Sequence, residues 1–293
     1  MVDTAAINSS KRTAECAGTA AGDTKCPHDA FGALFGQIAH HGAVDGVTGS
    51  CHQLYLDEHN SILIDCGLFQ GPRELERRNL EPFPFDPAEL DAVLLTHAHL
   101  DHVGRLPKLV ADGFRGPVYA AAGSRRVAEV ILRDAAKIAR EDHDRALRKA
   151  RRAGREHELS PPPYDESHVD RAIDAIRTVP YGEGFPVAGV VVTFRPARHV
   201  VGSAWIELQD GLEGSVALSG DLGNRESLLH PTPEGPRGAR AVVCEATYGD
   251  RSHRSREATR AEFRDVLARA ADSGGRVLIP TFALERTQTV LYE

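Results

Sequence analysis

The chain has 293 residues, a formal net charge of −7, 41% hydrophobic and 26% charged residues, which is the composition of a globular protein long enough to bury a large core in one or two domains. The acidic balance does not favour a nucleic-acid-binding protein, although it is compatible with a local basic channel. No run of about 18 apolar residues is present and the first thirty or so residues lack an apolar segment, so neither a transmembrane helix nor a secretory signal is predicted. The five cysteines have no framework spacing and indicate reduced thiols in a cytoplasmic protein.

The first part of the chain, residues 1–29, is small and polar without periodicity and predicts a disordered tail. Within it, Cys16, Cys26 and His28 are only a weak candidate metal clip. Short apolar runs then predict strands, bounded by turn residues, over 34–39, 51–57, 60–65, 91–96, 117–121, 190–195, 203–208, 216–221 and 241–245. Helical patterns cover 105–112, 124–153, 166–177 and 257–271.

A dense group of metal-binding residue types follows the predicted buried strand 91–96. His97, His99, Asp101 and His102 occupy four of six consecutive positions, and imidazole and carboxylate are zinc ligands. His97 and His99 share a face of an extended segment, whereas the other two residues come after a bend and can reach a second point. Two ligands for each of two neighbouring metals is the arrangement that a binuclear site needs.

Four further residues close or connect predicted strands and are candidates for the same site. Asp65 ends the strand 60–65, and Glu245 ends the strand 241–245. His199 stands between two strands and is a candidate third ligand for the first metal, while Asp221 can bridge two metals. Because these acids all follow apolar strands, we expect the site at one edge of a sheet.

Each of two other sequence patterns has two possible interpretations. The glycine-rich segment 42–50 permits close approach of a ligand, but a plain hairpin turn explains it equally well. The basic residues over 145–155 could contact phosphates, yet interleaved acids favour a solvated helix face.

The last segment changes to strand–helix alternation. A helix over 257–271 should turn its apolar face inward, a strand should follow over 276–282, and a helix should begin at Ala283. The apolar face comprises Ala261, Phe263, Val266, Leu267 and Ala270. The sequence stops inside the last helix without a cap, so we expect a chain that is truncated relative to its fold.

Taken together, these motifs resemble the β-CASP branch of the metallo-β-lactamase superfamily, in particular bacterial RNA-degrading enzymes related to the mRNA 3′-end-processing endonuclease. The resemblance covers about residues 31–293 and includes Glu245-Ala-Thr-Tyr-Gly249 and the segments 46–50, 219–224 and 275–283. It implies an α/β fold: an incomplete αββα metallo-β-lactamase sandwich over 30–250, and the start of an inserted β-CASP α/β domain over 251–293.

The resemblance also implies a role for each site residue. The first zinc would be held by His97, His99 and His199. Asp101 and His102 would hold the second, and Asp221 would bridge both. Asp65, Asp101 and Glu245 would act in catalysis, with Asp65 orienting the water. Glu245 matches an acidic motif that holds a histidine near the leaving group, and the family supplies that histidine from a later portion of the chain.

The leading hypothesis is therefore a zinc-dependent hydrolase with two Zn²⁺ ions that cleaves phosphodiester bonds of single-stranded RNA in the cytoplasm, without a membrane partner. A homodimer, DNA as substrate, endo or exo cleavage, and iron or manganese in place of zinc stay open. One alternative is a catalytically impaired remnant that binds zinc but needs a missing C-terminal segment. Another is a hydrolase of small esters or thioesters, although such an enzyme needs no second domain.

Overall fold

The computed structural model describes residues 24–25, 37–158, 162–211, 214–224 and 234–293. The predicted tail and the cysteine–histidine clip within it lie outside these residues, except for Thr24–Lys25, which pair as a short strand with the strand that begins at Gln37. Two β-sheets, seven α-helices and three single-turn 3₁₀ helices (Arg78–Leu80, Pro87–Glu89 and Glu156–Glu158) account for the regular structure of the described part.

The first sheet has seven strands in sequence order. They are β1 Thr24–Lys25, β2 Gln37–Gly42, β3 Cys51–Tyr55, β4 Ser61–Ile64, β5 Ala92–Leu95, β6 Val118–Ala121 and β7 Ile176–Val179. Neighbours from β1 to β4 are antiparallel, and neighbours from β4 to β7 are parallel. The carboxyl ends of β4 and β5 therefore open at the same edge.

The second sheet has five strands in the order β12-β11-β10-β9-β8. They are β8 Gly184–Val187, β9 Val190–Pro196, β10 Ala204–Gln209, β11 Ser215–Leu218 and β12 Ala239–Val243. Only β11 and β12 are parallel, so both end at the same edge.

The helices are α1 Arg73–Arg77, α2 Leu100–Val103, α3 Leu106–Ala111, α4 Ser124–Arg152, α5 Glu166–Ala175, α6 Arg256–Asp272 and α7 Arg286–Tyr292. The long helix α4 was predicted within one residue at its end, and only its first half has buried residues, namely Ser124, Ala128 and Leu132. The basic stretch beyond residue 144 lies on the exposed half of this helix, as the solvated-face interpretation expects. None of the described helices is long and apolar enough to span a bilayer.

Two apolar cores divide the molecule into layers. One lies between the two sheets and joins residues such as Leu54 and Leu94 to Phe194 and Ile206. The other lies between the first sheet and helices α3, α4 and α5. The order is therefore helix, sheet, sheet, and in the described residues no helix with a buried residue covers the outer face of the second sheet. The predicted α/β fold, an incomplete αββα sandwich, is confirmed.

The segment after β12 differs from its prediction. Residues 276–282 form no strand, and Leu278 and Phe282 are 91% and 81% exposed. A strand needs a neighbour to pair its backbone groups, and the described residues supply none here. Likewise the expected apolar face of α6 buries no residue. The predicted last helix exists as α7 and begins three residues late.

Candidate metal centre

The predicted site residues converge at the edge where β4, β5, β11 and β12 end. Asp65 follows β4, the segment 97–102 follows β5, Asp221 lies beyond β11 and Glu245 lies beyond β12. His199 comes from the loop between β9 and β10. Two backbone hydrogen bonds join these loops: Gly223 N–H donates to Ala197 O over 2.9 Å, and Ala204 N–H donates to Thr96 O over 2.7 Å.

Three imidazoles and one carboxylate form a compact cluster. The ligand atoms of His97, His99, His199 and Asp221 all lie within 4.8 Å of one another. His97 Nε2 is 3.0 Å from His99 Nδ1, which is 3.1 Å from His199 Nε2. Ligand nitrogens of a tetrahedral zinc site are about 3.3 Å apart. The separations therefore fit convergence on one ion.

The histidines of this cluster are held in the form that binds metals. Burial is the largest cause that lowers the pKa of His97, His99 and His199, and it lowers the pKa of His199 to about 4 despite the opposing charge of Asp221. His97 Nδ1 is 3.1 Å from Thr96 Oγ1, whose hydroxyl donates to Asp65 Oδ2 over 2.8 Å. Thr96 Oγ1 must therefore accept from His97 Nδ1–H, which leaves the Nε2 lone pair facing the cluster.

Asp221 faces two groups with its two oxygens. Its Oδ2 lies 3.7 Å from His97 Nε2 and 3.4 Å from His199 Nε2. Its Oδ1 lies 3.2 Å from His102 Nε2. Burial raises the pKa of Asp221, but the hydrogen bond and charge of His102 outweigh it and the net shift is downward. A carboxylate in this position can contact two ions at once.

Asp65 holds the His102 ring in place on the side opposite Asp221. His102 Nδ1 lies 2.7 Å from Asp65 Oδ2, so Nε2 is free to face Asp221. Burial lowers the pKa of His102, but the Asp65 and Asp221 carboxylates outweigh it and raise that pKa to about 10. Asp65 is 1% exposed and also accepts from Thr96 N–H over 2.8 Å. Carboxylate–histidine–metal triads use the same arrangement.

The two other predicted carboxylates occupy different positions. Asp101 stands in the first turn of α2 and does not belong to the four-ligand cluster. The pKa of Asp101 is raised, chiefly by burial, although the charges of His102 and His99 act in the opposite direction. Glu245 Oε1 accepts from Leu222 N–H over 2.8 Å, and its own N–H donates to Ser219 Oγ over 2.9 Å. Glu245 thus ties the end of β12 to the loop that carries Asp221.

Close backbone approach explains two glycines of the site. A Cβ on Gly223 would lie 1.7 Å from Arg198 O, and a Cβ on Gly67 would lie 1.6 Å from Asp101 O. Asp65 and Arg198 themselves have positive φ angles of 60° and 63°, which a side chain disfavours by about 1–3 kcal/mol. The strain sits at the two loops that present ligands.

An open cavity of about 510 Å³ extends from Asp221 and His102 along the glycine-rich segment. Its wall includes His40, Ser50, His52 and Thr247 besides the site acids. Thr96, His40 and His52 were not among the predicted site residues, and Ser50 was included only as the end of the glycine-rich segment 42–50. Thr96 stands directly before the histidine motif, which is a usable signal, whereas the histidines are brought in only by the register of β2 and β3.

The comparisons with known proteins extend this picture. A family model described as "Metallo-beta-lactamase superfamily" matches residues 46–280. "Ribonuclease TTHA0252" of Thermus thermophilus is 44% identical over 256 residues, which are 87% of this chain and 54% of that protein. "RNase aCSPSF2" of Saccharolobus solfataricus is 28% identical over 79% of this chain and 43% of that protein.

A eukaryotic relative likewise matches most of this chain but only part of its own length. "Endoribonuclease ysh1" of Schizosaccharomyces pombe is 30% identical over 85% of this chain and 31% of that protein. The chain therefore spans about half, or less, of the length of the curated relatives it matches.

Proposed function

We propose that this chain, which belongs to the metallo-beta-lactamase superfamily, is a metal-dependent hydrolase that cleaves phosphodiester bonds of RNA. The resemblance to the β-CASP branch is confirmed, since the relatives are β-CASP members. Three of these relatives carry ribonuclease names, and their names support RNA as the substrate class.

The observation that carries the proposal is the geometry around Asp221. One of its oxygens faces the three-histidine cluster and the other faces His102. We assign His97, His99 and His199 to one ion and His102, with Asp101 beside it, to a second. In this assignment Asp221 would serve both ions, and zinc would be the metal because neutral imidazoles with a carboxylate are its usual ligands.

The protein groups have distinct tasks in this proposal. Two bound divalent ions supply an activated water and stabilise charge on phosphoryl oxygens. Asp65 orients His102 through Nδ1, and Glu245 holds the loop of Asp221 through Leu222 N–H. The cavity beside the ions has a volume of about 510 Å³, within the range of about 300–1,000 Å³ of ligand sites.

The test combines metal content with cleavage. The purified chain is analysed for zinc and incubated with a labelled single-stranded RNA, with and without chelator. We expect about two zinc ions per chain, cleavage that chelator abolishes, and recovery when zinc is returned. A DNA strand of the same sequence is the matched substrate control. Hydrolysis of a small ester but not of RNA by the zinc-loaded chain would contradict the proposal.

A further inference from the structure

A continuous series of side-chain contacts leads from the cavity wall to the proposed second metal position. His40 Nδ1 is 2.9 Å from His52 Nδ1, and His52 Nε2 is 3.3 Å from Ser50 Oγ. Ser50 Oγ donates to Asp65 Oδ2 over 3.3 Å, and that oxygen is 2.7 Å from His102 Nδ1. We propose that Ser50, His52 and His40 are positioning residues, forming a one-directional hydrogen-bonded relay that holds Asp65 against His102.

The direction of the relay follows from the contact between Ser50 and Asp65. Ser50 Oγ donates to Asp65 Oδ2, and this bond uses the single hydroxyl proton of Ser50. Ser50 Oγ can then meet His52 Nε2 only by accepting, which makes His52 the Nε2–H tautomer. A neutral His52 has a bare Nδ1, so His40 must be the Nδ1–H tautomer and donate to it.

The neutral state that this derivation needs is supported by the surroundings. Burial is the largest cause that lowers the pKa of His52, to about 3, and the charges of His40, His102 and His41 act in the same direction. Burial also lowers the pKa of His40. Both rings therefore carry one donor and one acceptor at neutral pH.

The backbone holds the relay in place. His40 and His52 are directly opposed in the β2–β3 register, and their rings meet edge to face with centroids 4.9 Å apart. Ser50 N–H donates to Asp101 O over 2.9 Å, and Ser50 O accepts from Gly67 N–H over 2.8 Å. Ser50 is thereby clamped between the segment that follows β4 and the histidine motif, so its hydroxyl stays aimed at Asp65.

The relay rests on the proposed function, because it acts on the ion that His102 would bind. Partners that orient a ligating histidine typically change metal affinity by about 10- to 100-fold when they are removed. The relay therefore predicts that replacing His52 lowers the zinc affinity of the second site. His52 does not contact the ion in this proposal, and its effect passes through Ser50 and Asp65 to His102.

The first experiment reads the tautomers directly. Long-range ¹H–¹⁵N spectra of the zinc-loaded protein with labelled histidine, recorded at pH 7, should show His52 as the Nε2–H form and His40 as the Nδ1–H form. The His40→Gln and His52→Gln variants assign the signals. The opposite tautomer at His52, or a doubly protonated ring, would overturn the relay.

The second experiment measures zinc affinity by chelator competition. We expect Ser50→Ala and His52→Phe each to weaken the second zinc about 10- to 100-fold, and the double variant to be no weaker than the worse single variant, because both break one chain of contacts. His52→Gln, which keeps an amide donor, should restore most of the affinity. His41→Gln is the matched control, since His41 bonds Gln53 instead.

The outcomes separate this inference from the proposed function. Additive losses in the double variant, or an equal loss in His41→Gln, would contradict the relay. Neither experiment needs RNA, so a protein that binds zinc with the expected tautomers but cleaves no RNA would count against the proposed function alone.

Discussion

At the scale of single residues, Asp221 and His102 have different places in the proposed two-metal site. Asp221 Oδ2 faces the three-histidine cluster and Asp221 Oδ1 faces His102 Nε2. The His102 ring packs against that of His97, with centroids 4.0 Å apart, but its Nε2 faces only Asp221. Asp65 completes the arrangement through the contact of its Oδ2 with His102 Nδ1, the ring nitrogen that does not face Asp221. The two residues should therefore respond differently to replacement.

We expect Asp221→Ala to lose both ions and His102→Ala to lose one, because only the first removes a group shared by the two positions. Elemental analysis of the purified variants gives the metal content per chain. Asp272→Ala, an exposed acid at the end of α6, is the control and should retain two ions. Equal metal content in Asp221→Ala and His102→Ala would contradict the bridging assignment.

At the scale of elements, the site depends on strand ends that are tied together by side chains. β11 and β12 are parallel, so the loops that follow them leave the sheet at the same edge. Glu245 connects these loops through Leu222 N–H and Ser219 Oγ. An acidic residue that could be taken for a metal ligand thus contacts backbone in this structure.

Removing this connection should loosen the Asp221 loop. We expect Glu245→Ala to weaken zinc binding about 10- to 100-fold, as measured by chelator competition. Glu245→Gln keeps an oxygen acceptor for Leu222 N–H and should recover much of the affinity. Glu183→Ala, at an exposed turn, should leave zinc binding unchanged. A loss in Glu245→Gln as large as in Glu245→Ala would point instead to a need for the negative charge.

At the scale of the whole molecule, the layered core and the segment after it differ in packing. Residues from both sheets are buried together, whereas α6 and α7 contain no buried residue. Large apolar side chains such as Leu278, Phe282 and Leu291 are more than 80% exposed. We propose that residues 30–250 form one domain and that residues 251–293 begin a second, inserted domain.

Limited proteolysis tests this division, because cleavage follows local opening. Among the described residues, chymotrypsin should cut first after Phe282, which lies in exposed coil, and the sheets should persist as a resistant fragment. Phe282→Ala should remove that first product. Early cleavage after the buried Phe114 or Phe194 would show that the sandwich is no more stable than the following segment.

The linear order of residues was enough to predict the fold class and the candidate ligands that the structure brings together. His97, His99 and His102 stand close together in sequence, and short apolar runs ending in acids are local signals that need no register. The same local signals placed α4 within one residue. They were wrong about the strand over 276–282 because a strand exists only where another strand offers its backbone groups.

Only the tertiary structure decided how the candidate ligands are arranged. The pairing of β2 with β3 brings His40 opposite His52, and the contact of Ser50 with Asp65 crosses fifteen residues of chain. The orientation of His102 and the two directions of Asp221 likewise depend on side chains from separate strands meeting at one sheet edge. These contacts follow from strand register and loop packing, which are long-range properties that no local pattern of residues encodes.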